Sequence, residues 1–322
     1  GGGGGWGRSI SRAEAVSRAE DDDVEFQTGG SVPLEEIKAE HTLPPTPTAT
    51  KRKYAILFGY VGFEYSGLQM QTTPEVKTVE QQLERALLLA GVIEEHNYGT
   101  LQKLGWSRAA RTDKGVHAAA NCVGVKLRVA VTEGWEERVK AQVNAFLPEA
   151  IRVLAIVRVG GSFNAKQAAE YRRYRYELPA MCLLPRDLVD GELYRQAEKE
   201  CAEKEEDSEP AVTQVSDEGL ALVRAKFVGR TVSERAMQLL RTALGAYVGT
   251  RRYHNFTSRM HGHDPRANRY ITSFDVGEPY HTEGGECYIP LTVVGQSFLL
   301  HQIRKMVCVA VDVVRGNMTP EH

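Results

Sequence analysis

One short stretch, residues 107–117, concentrates more unlike reactive side chains than any other part of the sequence; it reads Ser-Arg-Ala-Ala-Arg-Thr-Asp-Lys-Gly-Val-His. Asp113 stands between Arg111 and Lys114, and Gly115 allows the backbone to turn sharply after them. Nearby cations favour the ionised form of a carboxyl group, which is the form that acts as a nucleophile or a general base. Because Thr-Asp-x-Gly is also common in ordinary turns, these residues alone leave a catalytic and a purely structural interpretation open.

The sequence around this stretch predicts alternating strands and helices. A helix begins at Thr78, where Gln81 completes a capping box, and Gly91 ends it. Short connections between the elements favour a mixed or antiparallel sheet over a doubly wound one. The other predicted elements are strands from Tyr54 and near 119–129, 151–159, 171–178, 270–276 and 286–294, and helices near 135–145, from Ser233 to about Tyr247, and from Ser297 onward.

Two cation-rich segments are candidates for contacts with phosphate groups. Alternation along the strand at 171–178 predicts one aromatic face and one cationic face. The segment 251–269 is rich in Arg and His, and a phosphate-binding loop and an ordinary polar loop are equally compatible with it. The aromatic face carries Arg172, Tyr174, Tyr176 and Leu178, the cationic face carries Arg173 and Arg175, and the candidates in the loop are Arg251, Arg252 and His254.

The last predicted helix places Arg304 at the edge of an apolar face. A guanidinium that is half removed from water is costly unless a carboxylate pairs with it, and Asp113 is the candidate partner. The alternative is that Arg304 extends to solvent along its aliphatic stem. The apolar positions of this helix are Ile303, Met306, Val307, Ala310 and Val314, and Cys308 and Val311 widen the face.

The run 111–118, Arg-Thr-Asp-Lys-Gly-Val-His-Ala, resembles the active-site motif of the TruA family of tRNA pseudouridine synthases, in which the Asp is catalytic. Six such blocks occur in the order of the family between about Lys53 and Gly316, which is far more specific than one motif. The sequences at 255–258 and 302–306 are most similar to the eukaryotic branch. The other blocks are Tyr54–Gln69, Asn144–Pro148, Phe163–Ala165 with Arg173–Tyr176, His254–Thr257, and Gly295–Phe298 with His301–Met306.

The resemblance implies a reaction and a role for each site residue. The bond between C1′ and N1 of a uridine breaks, the base turns, and C1′ rejoins at C5, with no redox change, so we expect no cofactor and no metal. By resemblance, Asp113 is the nucleophile, and Arg111 fills the position that the flipped base leaves. Tyr174 stacks on the target uracil and can assist proton removal from C5, and Arg304 orients Asp113 and keeps it ionised.

The resemblance also implies an α+β fold in which two similar halves share a central, mainly antiparallel sheet flanked by helices, with a basic cleft between the halves. We expect a flexible tail at 1–50, a catalytic half at 51–189, an acidic insertion that divides the halves at 190–218, and a second half at 219–322. Family members continue past the last helix into a segment with a Gly-Leu pair whose leucine lines the uracil pocket, whereas the given sequence ends at His322.

The acidic residues of the chain are segregated. The formal net charge is −2, but residues 1–50 carry a net −5 and residues 190–218 a net −8, which leaves +11 for the rest. A core that basic suits the binding of a phosphate backbone, and we expect tRNA as the partner.

Composition predicts a globular intracellular protein. The chain has 322 residues, 42% of them hydrophobic, no apolar run long enough to cross a bilayer and no signal-peptide pattern. We expect it in the nucleus or cytoplasm, with the mitochondrion as a further location, and as a monomer rather than a homodimer. The cysteines are odd in number and widely spaced, which indicates neither a disulfide framework nor a zinc site; they are Cys122, Cys182, Cys201, Cys287 and Cys308.

Two other functional classes fit the same residues. An RNA-binding module without activity would also carry a basic core and the Tyr/Arg strand. A nucleosidase would use the same carboxylate and release free uracil.

Overall fold

The computed structural model describes residues 31–38, 49–183, 228–229 and 231–319, apart from Pro74 and Arg259. These residues form an α+β structure in which every strand pairing is antiparallel. The helices are α1 (Leu34–Lys38), α2 (Val79–Leu89), α3 (Trp135–Ala145), α4 (Ala165–Ala168), α5 (Glu234–Gly245) and α6 (Gln302–Val314), with 3-10 turns at Glu95–Asn97, Ala180–Leu183, His254–Phe256 and Pro265–Ala267. The strands are β1 (Thr50–Tyr60), β2 (Ser107–Arg108), β3 (Ala118–Val129), β4 (Ile151–Arg158), β5 (Arg172–Pro179), β6 (Gly249–Arg252), β7 (Asn268–Val276), β8 (Tyr280–His281) and β9 (Cys287–Gly295).

The chain divides into two compact units, residues 1–169 and 170–322. The first unit contains one sheet of order β2-β3-β1-β4, and α3 contacts β4. Its core is built from the apolar side of β1 and β3 and the buried face of α2, with Phe58, Leu83 and Val125 all fully removed from solvent. The predicted site residues of this unit, Arg111 and Asp113, lie in the connection between β2 and β3.

The second unit has its own sheet, of order β5-β9-β7-β6, and β8 pairs with β9. Helix α5 contacts β7 and α6, and the two helices and the sheet enclose a second core that includes Leu240 on α5, Leu291 on β9 and Met306 on α6. In the first unit two strands, β2 and β3, lie between α2 and α3, whereas in the second unit four strands, β6 to β9, lie between α5 and α6. Strand β1 pairs with β3, which precedes α3, and β5 pairs with β9, which precedes α6.

The predicted α+β class and the two halves are confirmed. A single sheet shared by both halves, and the basic cleft between them, stay predictions. The divide predicted within 190–218 was placed too late, because β5 pairs along its whole length with β9 and therefore belongs to the second unit. The acidic insertion itself lies outside the described residues.

Most predicted elements agree with the structure. The side chain of Thr78 accepts a hydrogen bond from the backbone N–H of Gln81, and Ser233 caps α5 in the same way. The predicted start of the last helix at Ser297 was wrong, because the helix begins at Gln302. Cys308, predicted to widen its apolar face, is exposed, and Val313 is buried instead.

The predicted flexible tail at 1–50 also needs a correction over residues 31–38. Helix α1 lies there, and Ile37 is 1% exposed because it joins the core of the first unit. The hydroxyl of Ser31 donates a hydrogen bond to the carboxylate of Glu84 on α2. Among the described residues, none of the helices has both the length and the apolar character needed to cross a membrane.

Candidate active site

Asp113 lies in a turn within the loop that joins β2 to β3. The backbone N–H of Val116 donates to the carbonyl of Asp113 across 3.2 Å, and Gly115 adopts a left-handed conformation with φ of 78°. Glycine adopts that conformation without steric cost. Asp113 is half-buried, whereas Arg111 and Lys114 are exposed on either side of it. The placement of the Asp113 carboxylate between the charges of Arg111 and Lys114 stays a prediction.

A second loop, residues 61–71, fixes the backbone of the Asp113 turn. The N–H of Leu68 donates to the carbonyl of Thr112 across 3.2 Å, and the N–H of Gly115 donates to the carbonyl of Tyr65 across 3.1 Å. Gly67 has φ of 101°, and a β-carbon there would lie 2.6 Å from the carbonyl oxygen of Thr112. The two loops approach so closely that only glycine fits, which positions Asp113 from both sides of the turn.

A buried tyrosine holds the residue before Asp113. The hydroxyl groups of Tyr60 and Thr112 are 2.8 Å apart, and the amide of Asn121 donates to Tyr60 and to the carbonyl of Ala110. Burial raises the pKa of Tyr60, while the hydrogen bonds with Thr112 and Asn121 act in the opposite direction. The phenol thus keeps its proton at neutral pH and can donate it to Thr112.

The buried carboxylate of Glu80 on α2 ties three segments around the site together. Its oxygens accept hydrogen bonds from the indole of Trp106 at 2.8 Å and from the N–H of Met70 at 3.0 Å. The guanidinium of Arg108 binds the same carboxylate at 2.6 Å through Nε and at 3.0 Å through Nη2. Because β2 ends at Arg108, this cluster fixes the start of the loop that carries Asp113.

Sequence analysis missed this cluster. The only local signal is that Glu80 is an acidic residue in the first turn of a helix, beside a buried position. Acidic residues are common in the first turn of helices, so this signal does not indicate a buried ion pair. The partners of Glu80 come from distant parts of the chain, so spacing does not reveal them.

An aromatic pair lies at the outer end of the same loops. The ring of Phe63 contacts the ring of His117 edge-on, with centroids 4.6 Å apart and planes at 84°. The N–H of Gly62 donates to Nδ1 of His117 across 3.1 Å. Phe63 is 77% exposed and His117 is also exposed.

The other predicted site residues belong to the second unit. Strand β5 alternates as predicted, with Tyr174 half-buried and Arg173 and Arg175 exposed on the opposite face. The ring of Tyr174 packs edge-on against Phe298 at 5.3 Å, next to the second core. Arg175 forms an ion pair with Glu177 on the strand itself.

Arg304 lies exposed on α6, on the same side of the second sheet as the aromatic side chains of β5. Its charge acts on Tyr176: burial raises the pKa of this phenol, and the Arg304 cation opposes the rise. The next residue, Lys305, donates to the carbonyl of Thr257 across 2.9 Å. Tyr174 and Arg304 therefore share one side of the sheet, and Arg173 and Arg175 do not.

The loop candidates differ in accessibility. Arg251 and Arg252 are exposed on β6, and Arg252 donates to the carbonyl of Gly262 across 3.3 Å. His254 is half-buried, and its Nδ1 has no hydrogen-bond partner among the described residues. Within each unit the structure thus positions its own candidates, while contacts of Asp113 with Tyr174 or Arg304 stay predictions. No group of three or more His, Cys, Asp or Glu side chains in the described ranges is placed to hold a metal ion.

Comparisons with known proteins point to one family. A family model described as tRNA pseudouridine synthase matches residues 243–322. The chain is 33% identical to the Mus musculus pseudouridylate synthase 1 homolog over 88% of this chain and 57% of that protein. It is 31% identical to tRNA pseudouridine synthase 1 of Saccharomyces cerevisiae over 85% of this chain and 57% of that protein, and 31% identical to the Candida albicans enzyme of the same name over 85% and 53%. The chain spans about half the length of these relatives.

Proposed function

We propose that this chain is a member of the tRNA pseudouridine synthase family and converts uridine to pseudouridine in tRNA. The observation that carries the proposal is the placement of Asp113 in a turn held by hydrogen bonds at Thr112 and Gly115; two exposed cations flank Asp113 in the sequence. A nucleophile held in one geometry avoids the entropic cost of being oriented during the reaction. The family relationship supplies the reaction for which such a carboxylate is used.

In the proposed mechanism the carboxylate of Asp113 attacks C1′ of the target nucleotide and forms an ester bond to it, while the C1′–N1 bond breaks and its electron pair leaves with the uracil. The uracil stays bound in the site and rotates until C5 faces C1′. The C1′–C5 bond then forms as the carboxylate leaves with the electron pair of the ester bond. The proton on C5 passes to a base or to water, and N1 takes up a proton, so the product has the same atoms as the substrate. Arg111, exposed two positions before Asp113, fills the space that the flipped base leaves in the RNA.

Tyr174 and Arg304 act from the second unit in this proposal. Tyr174 offers an aromatic surface for the freed uracil, and its packing against Phe298 fixes the orientation of the ring. Arg304 pairs with Asp113 and keeps it ionised. Their placement on one side of the second sheet supports this joint role.

The partner in the proposal is tRNA, bound chiefly through its phosphates. The exposed cations Arg173, Arg175, Arg251 and Arg252 are candidates for those contacts, and the half-buried His254 is a weaker one. We propose further that the protein acts without a cofactor as a monomer inside the cell, in the nucleus or cytoplasm or in the mitochondrion. Size-exclusion chromatography with light scattering would test the monomeric state, and microscopy of a tagged protein would test the location.

One assay separates this function from its alternatives. tRNA labelled with tritium at C5 of uridine is incubated with the chain. The released tritium is then separated from the tRNA and divided into label in water and label in free uracil. We expect tritium in water, because isomerisation replaces the C5 hydrogen by the bond to C1′. Labelled free uracil would indicate a nucleosidase. Bound tRNA without any release would indicate a binding module.

A further inference from the structure

Phe63 is the most exposed of the large apolar side chains among the residues that the structure describes, at 77%. A single exposed apolar residue is ordinary on a protein surface and needs no explanation by itself. Phe63 differs because its ring is held, edge-on, against the imidazole of His117 at 4.6 Å. An aromatic ring in a fixed orientation loses little entropy when a ligand stacks on it.

The backbone that carries Phe63 is fixed to the backbone that carries His117. A β-carbon on Gly62 would lie 2.1 Å from the carbonyl oxygen of Val116, so the two loops touch and no side chain fits there. The N–H of Gly62 donates to Nδ1 of His117, which leaves the ring hydrogen of the neutral imidazole on Nε2. The pair therefore presents an apolar ring and one hydrogen-bond donor.

The pair lies close to the proposed nucleophile. His117 follows Asp113 by four positions, which span at most about 14 Å even when extended. The turn at Lys114 and Gly115 shortens this distance. Successive nucleotides of a stacked strand rise by ~3.4 Å, so the pair is within reach of bases a few positions from the target uridine.

We propose that Phe63, supported by His117, stacks on a base of the RNA strand within a few nucleotides of the target uridine. The inference rests on the proposed function, which supplies the RNA substrate. Aromatic side chains bind unpaired bases through their faces, and Lys114, which is exposed three positions before His117, is a candidate to bind an adjoining phosphate. Phe63 is a binding residue in this role and takes no part in the chemistry.

The first test compares Phe63→Ala, Phe63→Leu and Phe63→Trp with wild type and with Val131→Ala, which shortens another exposed apolar side chain. Stacking is present before and during the reaction, so its loss raises KM and leaves kcat within about twofold. We expect KM to rise about tenfold for Ala and Leu, and to return to the wild-type value for Trp. Equal KM values for Phe63→Ala, Val131→Ala and wild type would overturn the inference, as would full rescue by Leu.

The second test reads the contact directly. Single 2-aminopurine bases are placed at the positions that flank the uridine modified by the wild-type chain. We expect quenching of the fluorescence at one position on binding, and no quenching with Phe63→Ala. Quenching that is the same with both proteins at every position would refute the stacking.

Failure of the proposed function gives a different result. If the wild-type chain isomerises no uridine, the proposed function is wrong, and the affinities of Phe63→Ala and Phe63→Trp for unmodified tRNA still decide whether Phe63 stacks.

Discussion

Glu80 and Arg108 form a bidentate ion pair inside the first unit, with their side chains 0% and 10% exposed. Breaking a buried pair by removing one partner costs about 3–5 kcal/mol, because the other charge stays buried without compensation. The pair joins α2 to the start of the loop that carries Asp113, so its loss acts on both stability and the geometry of the site.

We therefore expect Glu80→Gln to lower the free energy of unfolding by about 3–5 kcal/mol, measured by urea denaturation. A matched control is Glu64→Gln, which removes an exposed pair with Lys77 and should have a much smaller effect on the free energy of unfolding. Combining Glu80→Gln with Arg108→Met should restore part of the loss, since neither charge then remains buried. Equal effects of Glu80→Gln and Glu64→Gln would contradict this account.

Local patterns predicted the elements well where the cause is local. The cap at Thr78 and the alternation of β5 follow from neighbouring residues, and both agree with the structure. Sequence analysis placed the start of α6 at Ser297, but the helix begins at Gln302. The side chain of Gln302 accepts a hydrogen bond from the N–H of Leu299, which stabilises the start of the helix at this position. His301 precedes the helix with φ of 60°.

Relationships between distant parts of the chain escaped sequence analysis. The motif located Asp113, but the Glu80–Arg108 pair joins residues from a helix and a strand with no shared periodicity. The divide between the units was likewise misplaced, because β5 pairs with β9 far along the chain while composition marked only the acidic stretch. Composition shows where charge is concentrated, but it does not predict which strands pair.

Glu84 makes the stability of the first unit depend on pH. Burial raises the pKa of Glu84 to about 7, and the charge of Glu80 adds to the rise, while hydrogen bonds from Ser31 and from the N–H of Gly99 oppose it. The folded state therefore holds this proton more tightly than the unfolded chain, whose carboxyl titrates near 4.5. The associated stability is complete below pH 4.5 and is lost as the pH rises to about 7, by ~3 kcal/mol.

The measurement is urea denaturation of wild type and Glu84→Gln between pH 4.5 and 8. The difference between the two proteins isolates Glu84, because all other groups titrate in both. We expect wild type to lose stability relative to Glu84→Gln across this window. A difference that does not change with pH would show that Glu84 is ionised in the folded protein throughout.

Replacing Asp113 by Asn should abolish isomerisation and leave the affinity for tRNA within a few fold. The amide has the same shape but cannot act as the nucleophile, and the phosphate contacts that dominate binding lie elsewhere. Tritium release and filter binding measure the two effects. Asp275→Asn, an exposed carboxylate on β7, serves as the control. Product formation above a tenth of the wild-type rate would remove Asp113 from its role.

Binding of tRNA should depend steeply on salt although the chain has a formal net charge of −2. Each phosphate contact releases counterions, so Arg173→Ala should reduce the slope of log affinity against log salt by about one. Arg235→Ala on α5 is the matched control, because α5 packs on the core side of the second sheet whereas Arg173 lies on the other face. A slope that is the same in both variants would exclude Arg173 from the phosphate contacts.

Arg304 is exposed on α6, so its removal should not disturb the core of the second unit. We expect Arg304→Ala to change the free energy of unfolding by less than about 0.5 kcal/mol. The same variant should lower kcat at least tenfold, because Asp113 loses the cation that we propose orients it. Arg304→Lys should rescue poorly, since an ammonium lacks the planar pair of donors that a carboxylate accepts. Full activity of Arg304→Lys, or a crystal structure in which the guanidinium contacts neither Asp113 nor residues 107–117, would leave Arg304 as a surface residue without a part in the reaction.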